Sequence, residues 1–144
     1  NIFLRKIYIS SDHAGFTLKE KIINHFSKKE LNFTDLGPYS KKRTDYPQFA
    51  HKLANEVKKN KNNVGILICG SGTGMSMAAN KHKKIRAAQC FSLKSTKLSR
   101  LHNDANVITL GSRLISKNNA LKFISIFLET NFEGGRHLKR VKKI

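Results

Sequence analysis

The chain has 144 residues, enough for one domain with an ordinary core. No apolar run approaches the ~18 residues a membrane-spanning helix needs, and two cysteines are too few for a disulfide scaffold. Lys and Arg number 28 against 9 Asp and Glu, a formal net charge of +19.

Such a charge raises nucleic-acid binding as a reading. The basic residues are spread over almost every predicted helix, however. The densest cluster, Lys81 to Arg86, contains no aromatic residue for base stacking. A basic surface also steers small anionic substrates. The chain starts at Asn1, and its first residues read as the remnant of a truncated start. There is no basic-then-apolar secretory pattern, and both cysteines fall in predicted strands. A reduced, cytoplasmic protein is expected.

Lys6 to Ser11 alternates and reads as a first strand, followed by the loop Asp12-His13-Ala14-Gly15. Phe16 to Lys28 reads as a helix, with Phe16, Ile22, Ile23 and Phe26 near helical spacing. Leu31 to Leu36 is a second strand, stopped by Gly37-Pro38. A basic loop, Tyr39 to Thr44, leads to Asp45 as N-cap, Pro47 in the first turn and a helix to about Lys59.

Val64 to Ile68 is an apolar, β-branched run and reads as a buried strand. Cys69 and the turn Gly70-Ser71-Gly72-Thr73-Gly74 follow, then a helix from Met75 to Asn80. Strand, glycine-rich turn and helix together aim backbone N–H groups at an anion. Lys81 to Lys84 is a charged loop, and Ile85 to Cys90 a fourth strand. Ser92 to Leu101 is a short helix, and Asn106 to Leu110 a fifth strand closed by Gly111. Asn118 to Thr130 is the last long helix, and the tail 131–144 ends in a basic run.

Five alternations of strand and helix predict an α/β fold: a three-layer αβα sandwich on a five-stranded parallel sheet, Rossmann-like, in the order 2-1-3-4-5. The switch point then lies between strands one and three. It brings the loop at Asp12-His13 beside the loop at Cys69-Gly70-Ser71.

A dinucleotide site fits the turn poorly. The fingerprint needs glycine where Met75 stands, and an acidic residue about 20 positions further on. No Asp or Glu occurs between Val57 and Asn103. A P-loop fails as well, because no Gly-Lys-Ser/Thr follows. The turn suits a small anion or an oxyanion. Two readings stand for Cys69: a small buried hydrophobe, or a thiol activated at the start of a helix. Cys90 reads as core. His25, His51 and His82 lie on polar positions and read as solvated. His13 and His102 sit in loop-like settings beside Asp or Asn. Arg136 and Arg140, four apart, would share one helical face. No His/Cys/Asp spacing marks a structural zinc site.

Five stretches occur in an order that resembles the ribose-5-phosphate isomerase B family and its relatives, the galactose-6-phosphate isomerase subunits. They are SDHAGFTLKE (Ser11 to Glu20), RTDYP (Arg43 to Pro47), GILICGSGTGMSMAANK (Gly65 to Lys81), SRLHNDANVITLGSR (Ser99 to Arg113) and FEGGRHLKRV (Phe132 to Val141). The resemblance runs from about Lys6 to Ile144. It implies an aldose–ketose isomerase of the non-oxidative pentose phosphate pathway. Such an enzyme interconverts D-ribose 5-phosphate and D-ribulose 5-phosphate through an enediolate, without cofactor or metal. It further implies homodimers or homotetramers with shared active sites, the tail 131–144 packing on a partner subunit.

By the same resemblance Cys69 is the base, His102 opens the sugar ring, and Asn103 contacts a sugar hydroxyl. Ser71 and the backbone N–H groups of Gly70, Ser71, Gly72, Thr73 and Gly74 match the enediolate donors. His13, Arg113, Arg136 and Arg140 match the phosphate ligands. Asp12 matches a residue near the ring oxygen or hydroxyls, and Asp45 one that touches the sugar. One branch of the family uses a glutamate just beyond the turn; here Met75 stands there and Cys69 is present, which points to the cysteine branch. A 6-phosphohexose (allose or galactose 6-phosphate) is the alternative substrate. A basic nucleic-acid-binding domain is the alternative of another class.

Overall fold

The computed structural model describes residues 5–144, so the expectation for the first residues lies outside the described part. The strands are β1 (Lys6–Ser11), β2 (Asn32–Asp35), β3 (Val64–Cys69), β4 (Ala87–Gln89) and β5 (Val107–Gly111). The helices are α1 (Phe16–Ser27), α2 (Tyr46–Val57), α3 (Thr73–Ala79), α4 (Leu93–Asn103), α5 (Lys117–Glu129) and α6 (Leu138–Val141), with a 3₁₀ turn at Gly135–His137 before α6. All four strand pairings are parallel.

The sheet order is β2-β1-β3-β5-β4, which corrects the expected 2-1-3-4-5. Burial explains the exchange. Every residue of β5 is buried, so it belongs inside the sheet. The fourth strand shrinks from the expected six residues to Ala87–Gln89, all half-buried, and such a strand fits an edge. Its first expected residues leave the ladder because Asn106 holds them: its Oδ1 accepts from Arg86 N–H (2.8 Å) and its Nδ2 donates to Lys84 C=O (2.7 Å). The β1/β3 switch point survives, and β5 rather than β4 now adjoins β3.

Two apolar layers cover the sheet. Ile7, Ile9, Ile66, Ile68, Ile108 and Leu110 pack under α1 and α5 with Ile22, Phe26, Phe123, Ile124 and Phe127. Leu67, Cys69 and Val107 face the other way, against Leu53, Ala54 and Val57 of α2 and Met75 and Ala79 of α3. Alternation along β3 therefore sends Cys69 to the α2/α3 side. Cys90 is buried just after β4, and burial pushes its thiol above the ordinary range, consistent with a core role.

Among the described residues, the most deeply covered ion pair is at Lys19. The Lys19 side chain is fully covered, and its Nζ donates to both Asp35 oxygens at 2.8 Å and to Glu20 at 3.2 Å. Asp35 also accepts from Gly37 N–H (2.8 Å), so α1, β2 and the following turn are joined at one carboxylate. Removing one partner of a buried pair strands the other charge. Asp35→Ala should lower stability by about 3 kcal/mol, read from the urea midpoint, while Glu20 keeps part of the compensation.

Two sequence expectations change at helix ends. His102 and Asn103 lie in the last turn of α4, not in a loop. Asp104 in left-handed conformation (φ 48°) caps that helix, and its carboxylate accepts from Arg86 and Arg100. His51 and His82, read as solvated, instead bond to each other (Nδ1 to Nε2, 2.7 Å). Packing of α2 beside the end of α3 brings them together.

Candidate active site

The C-terminal ends of β1, β3 and β5 carry three loops that hold one another. Asp12 N–H donates to Ile68 C=O (3.1 Å), joining the β1 loop to β3. Ser112 N–H donates to Cys69 C=O (2.9 Å), and Arg113 N–H to Gly70 C=O (3.0 Å). The Ser112 hydroxyl donates to Ala14 C=O (2.8 Å) and closes the ring of loops. Close approach requires glycine at 111, where a Cβ would stand 2.6 Å from Ser71 C=O oxygen.

Cys69 ends β3 and is 5% exposed. Gly72 N–H donates to its Sγ at 3.1 Å. That bond needs the turn to double back, which it does through Gly72 in left-handed conformation (φ 81°). The Ser71 hydroxyl accepts from Thr73 N–H (3.2 Å), so its own proton stays available to donate. From β4, Gln89 Nε2 donates to Ser71 C=O (2.9 Å) and to Thr73 Oγ1 (2.8 Å), fixing the turn from outside.

Asp12 is nearly buried, and its Oδ1 accepts from Gly15 N–H at 3.0 Å. His13 is tied to the loop before α2. Its N–H donates to Thr44 Oγ1 (3.1 Å), and its Nδ1 lies 3.1 Å from Thr44 C=O oxygen and 3.2 Å from Thr44 N. With Nδ1 held, Nε2 is the ring nitrogen left for a ligand. Asp45 occupies the N-cap position of α2, but its side chain makes no cap bond and is exposed. Arg113 is exposed, and its guanidinium covers Gly70: a Cβ there would lie 2.9 Å from Nη1. Cys69, Gly70 to Gly74, Asp12, His13, Asp45 and Arg113 thus form one group of loops.

His102, Asn103, Arg136 and Arg140 are elsewhere. The last turn of α4 leads through Asp104–Asn106 into the start of β5, whereas Cys69 pairs with Gly111 at its end. The five residues of β5 put about 13 Å of sheet between the two ends. At the far edge the His102 ring stacks on His137 with centroids 4.2 Å apart and planes 16° apart. His102 Nε2 lies 3.9 Å from Glu133 Oε2. Burial, then His102 and then Arg136, hold His137 below the ordinary histidine range, with Glu133 opposing. Glu133 N–H donates to Leu101 C=O (3.1 Å), which fastens the tail to α4. Arg136 and Arg140 are exposed in consecutive helical turns.

Thr44, Ser112, Gln89, Glu133 and His137 join these contacts without a signal of their own in the sequence. Thr44 and Ser112 lie inside quoted stretches beside named residues. Gln89 carries no local signal, since only sheet pairing brings it to the turn.

Known proteins share this chain's sequence pattern and fold. Residues 7–144 match the family model described as Ribose/Galactose Isomerase. A relative from Mycoplasma genitalium, named Probable ribose-5-phosphate isomerase B, is 49% identical over 140 residues, covering 96% of this chain and 92% of its own. The crystal structure of ribose-5-phosphate isomerase B from Mycoplasma genitalium with bound ribulose-5-phosphate is 47% identical and superposes with a TM-score of 0.94, covering 98% of this chain and 94% of that one. The ribose 5-phosphate isomerase of Thermotoga maritima gives 45% and 0.93, covering 96% and 95%. On this agreement of sequence and fold over nearly the whole length, the chain belongs to the ribose/galactose isomerase family, in its ribose-5-phosphate isomerase B group.

Proposed function

We propose that this chain interconverts D-ribose 5-phosphate and D-ribulose 5-phosphate by proton transfer through Cys69, at sites that two copies complete for each other. The observation that carries the chemistry is the Gly72 N–H on Cys69 Sγ, in a turn walled by Asp12 and Arg113.

His102 opens the closed sugar by moving a proton between the ring oxygen and the hydroxyl on carbon 1. Asn103, Asp12 and Asp45 hold sugar hydroxyls. The Cys69 thiolate then takes the proton from carbon 2, and the electron pair forms the carbon 1–carbon 2 double bond of an enediolate. The Ser71 hydroxyl and the N–H groups of the Gly70–Gly74 turn donate to its oxygens. The thiol returns its proton to carbon 1, and the hydroxyl proton on oxygen 2 passes to oxygen 1. Aldose becomes ketose with no net oxidation. His13, Arg113, Arg136 and Arg140 neutralise the phosphate, the arginines through two-pronged hydrogen bonding. A surface of net charge +19 speeds capture of such an anion.

One chain cannot bring His102 to its own Cys69 across the sheet. A symmetric dimer lays the tail and the end of α4 of one copy over the β1, β3 and β5 loops of the other. Exposed Tyr46, Met77 and Leu138 supply apolar surface for that contact. Among the described residues no helix is long and apolar enough to cross a membrane, and both thiols are free, which favours the cytoplasm.

The family model names galactose as well as ribose, so a 6-phosphohexose is the second reading. Comparing kcat/KM for ribose 5-phosphate with that for allose and galactose 6-phosphates separates the two; a higher value for a hexose overturns the pentose assignment. Gln89→Leu tests the turn. It removes two hydrogen bonds of about 1 kcal/mol each, and should lower kcat about tenfold.

A further inference from the structure

We propose that His102, Glu133 and His137 form a site for one zinc-class divalent ion, and that an ion held there inhibits isomerisation by taking the lone pair of His102. The inhibitory half rests on the ring-opening role given to His102 above; the binding half does not.

The three side chains come from two segments that the fold locks together, the end of α4 and the tail. One ligand atom from each lies within 4.8 Å of the others. Tetrahedral zinc, with bonds of about 2.0–2.2 Å, needs ligand atoms about 3.4 Å apart. His102 Nε2 and Glu133 Oε2 are already at 3.9 Å, and Glu133 is exposed enough to swing inward. The remaining difference is a rotation of the Glu133 carboxylate and of the half-exposed His102 ring, which must turn out of its near-parallel stack on His137 for both imidazole lone pairs to meet one ion.

A second observation points to a ligand. His137 is 5% exposed, yet its Nε2 is buried without a hydrogen-bond partner. A buried imidazole nitrogen left unpaired is costly. Isomerisation as described uses His102, Arg136 and Arg140 and leaves His137 without a task. A metal ion satisfies that nitrogen.

Two imidazoles and one carboxylate select zinc, cobalt or nickel over magnesium or calcium, which prefer all-oxygen sets. Three protein ligands leave a fourth position open for water. Nearby Arg136 and Arg140 oppose a cation, and Glu133 supplies the local negative charge. Glu133 is therefore the residue on which affinity depends most.

The test is a Co²⁺ titration of the chelator-treated full chain in phosphate-free buffer, followed by visible absorption, beside Zn²⁺ inhibition of ribose 5-phosphate turnover. Intense visible bands that saturate at one equivalent are expected. Glu133→Gln, read against its own metal-free turnover, should weaken Co²⁺ binding and Zn²⁺ inhibition together by at least tenfold. His82→Gln, which breaks the His51–His82 pair, should change neither. No visible bands, bands that survive Glu133→Gln, or bands lost in His82→Gln would overturn the site. A near-ultraviolet sulfur-to-cobalt band that persists in Glu133→Gln would move the metal to Cys69 and overturn it equally. Specific Co²⁺ binding without any isomerase activity would uphold the site and remove the role of His102.

Discussion

Cys69→Ala is expected to lower kcat by about 10²–10⁴-fold, the usual contribution of a positioned general base. The expectation follows from geometry. Cys69 Sγ sits at the end of a fully buried strand, and Gly72 N–H is its hydrogen-bond donor. Asp12 Oδ1 is engaged by Gly15 N–H and His13 Nδ1 by Thr44, whereas the Cys69 thiol stands inside the glycine-rich turn. Alanine removes one buried sulfur and should cost only about 1 kcal/mol of stability. The check is kcat measured beside the thermal midpoint. A large kcat loss with a nearly unchanged midpoint assigns the effect to chemistry; near-normal turnover would place the base elsewhere.

The second large effect concerns the two halves of the site. Cys69→Ala and His102→Gln should each be inactive as pure proteins. Mixed in equal amounts and allowed to exchange subunits, they should recover about a quarter of wild-type activity, because half the dimers are mixed and each has one intact site of two. Such recovery has a simple source. His102 lies at the start of β5 and Cys69 beside its end, so a site containing both must draw them from different copies. A mixture as dead as its components would mean that one chain supplies both residues.

Much of the fold was legible because its strands are short, apolar and β-branched, bounded by glycine or polar turns. The β1/β3 switch point could be read as well, and it brought Asp12 and Cys69 together. The exchange of β4 and β5 could not be read locally. It depends on which strand both apolar layers cover; Arg86 and Gln89 beside Ala87, against Val107, Ile108 and Leu110 in β5, hint at the exchange without fixing it. The consequence reaches the site, since it is β5 beside β3 that seats Arg113 over Gly70.

Residues whose roles depend on long-range partners were harder. His51 and His82 look like surface histidines until α2 packs beside α3. Thr44 looks like a loop residue until it grips the ring and backbone of His13. Between Arg136 and Arg140, to which the resemblance gives the phosphate, His137 gave no signal of its own. Only the fold shows it stacked on His102. The separation of His102 from Cys69 was equally hidden, because resemblance assembles residues into one site without saying which chain supplies them.

The most direct measurement is isomerisation of ribose 5-phosphate in deuterium oxide by the purified protein, followed by nuclear magnetic resonance. Proton transfer through Cys69 predicts ribulose 5-phosphate that carries solvent deuterium on carbon 1, because the thiol exchanges its proton while the enediolate lasts. No ketose, or ketose entirely free of deuterium, would contradict it.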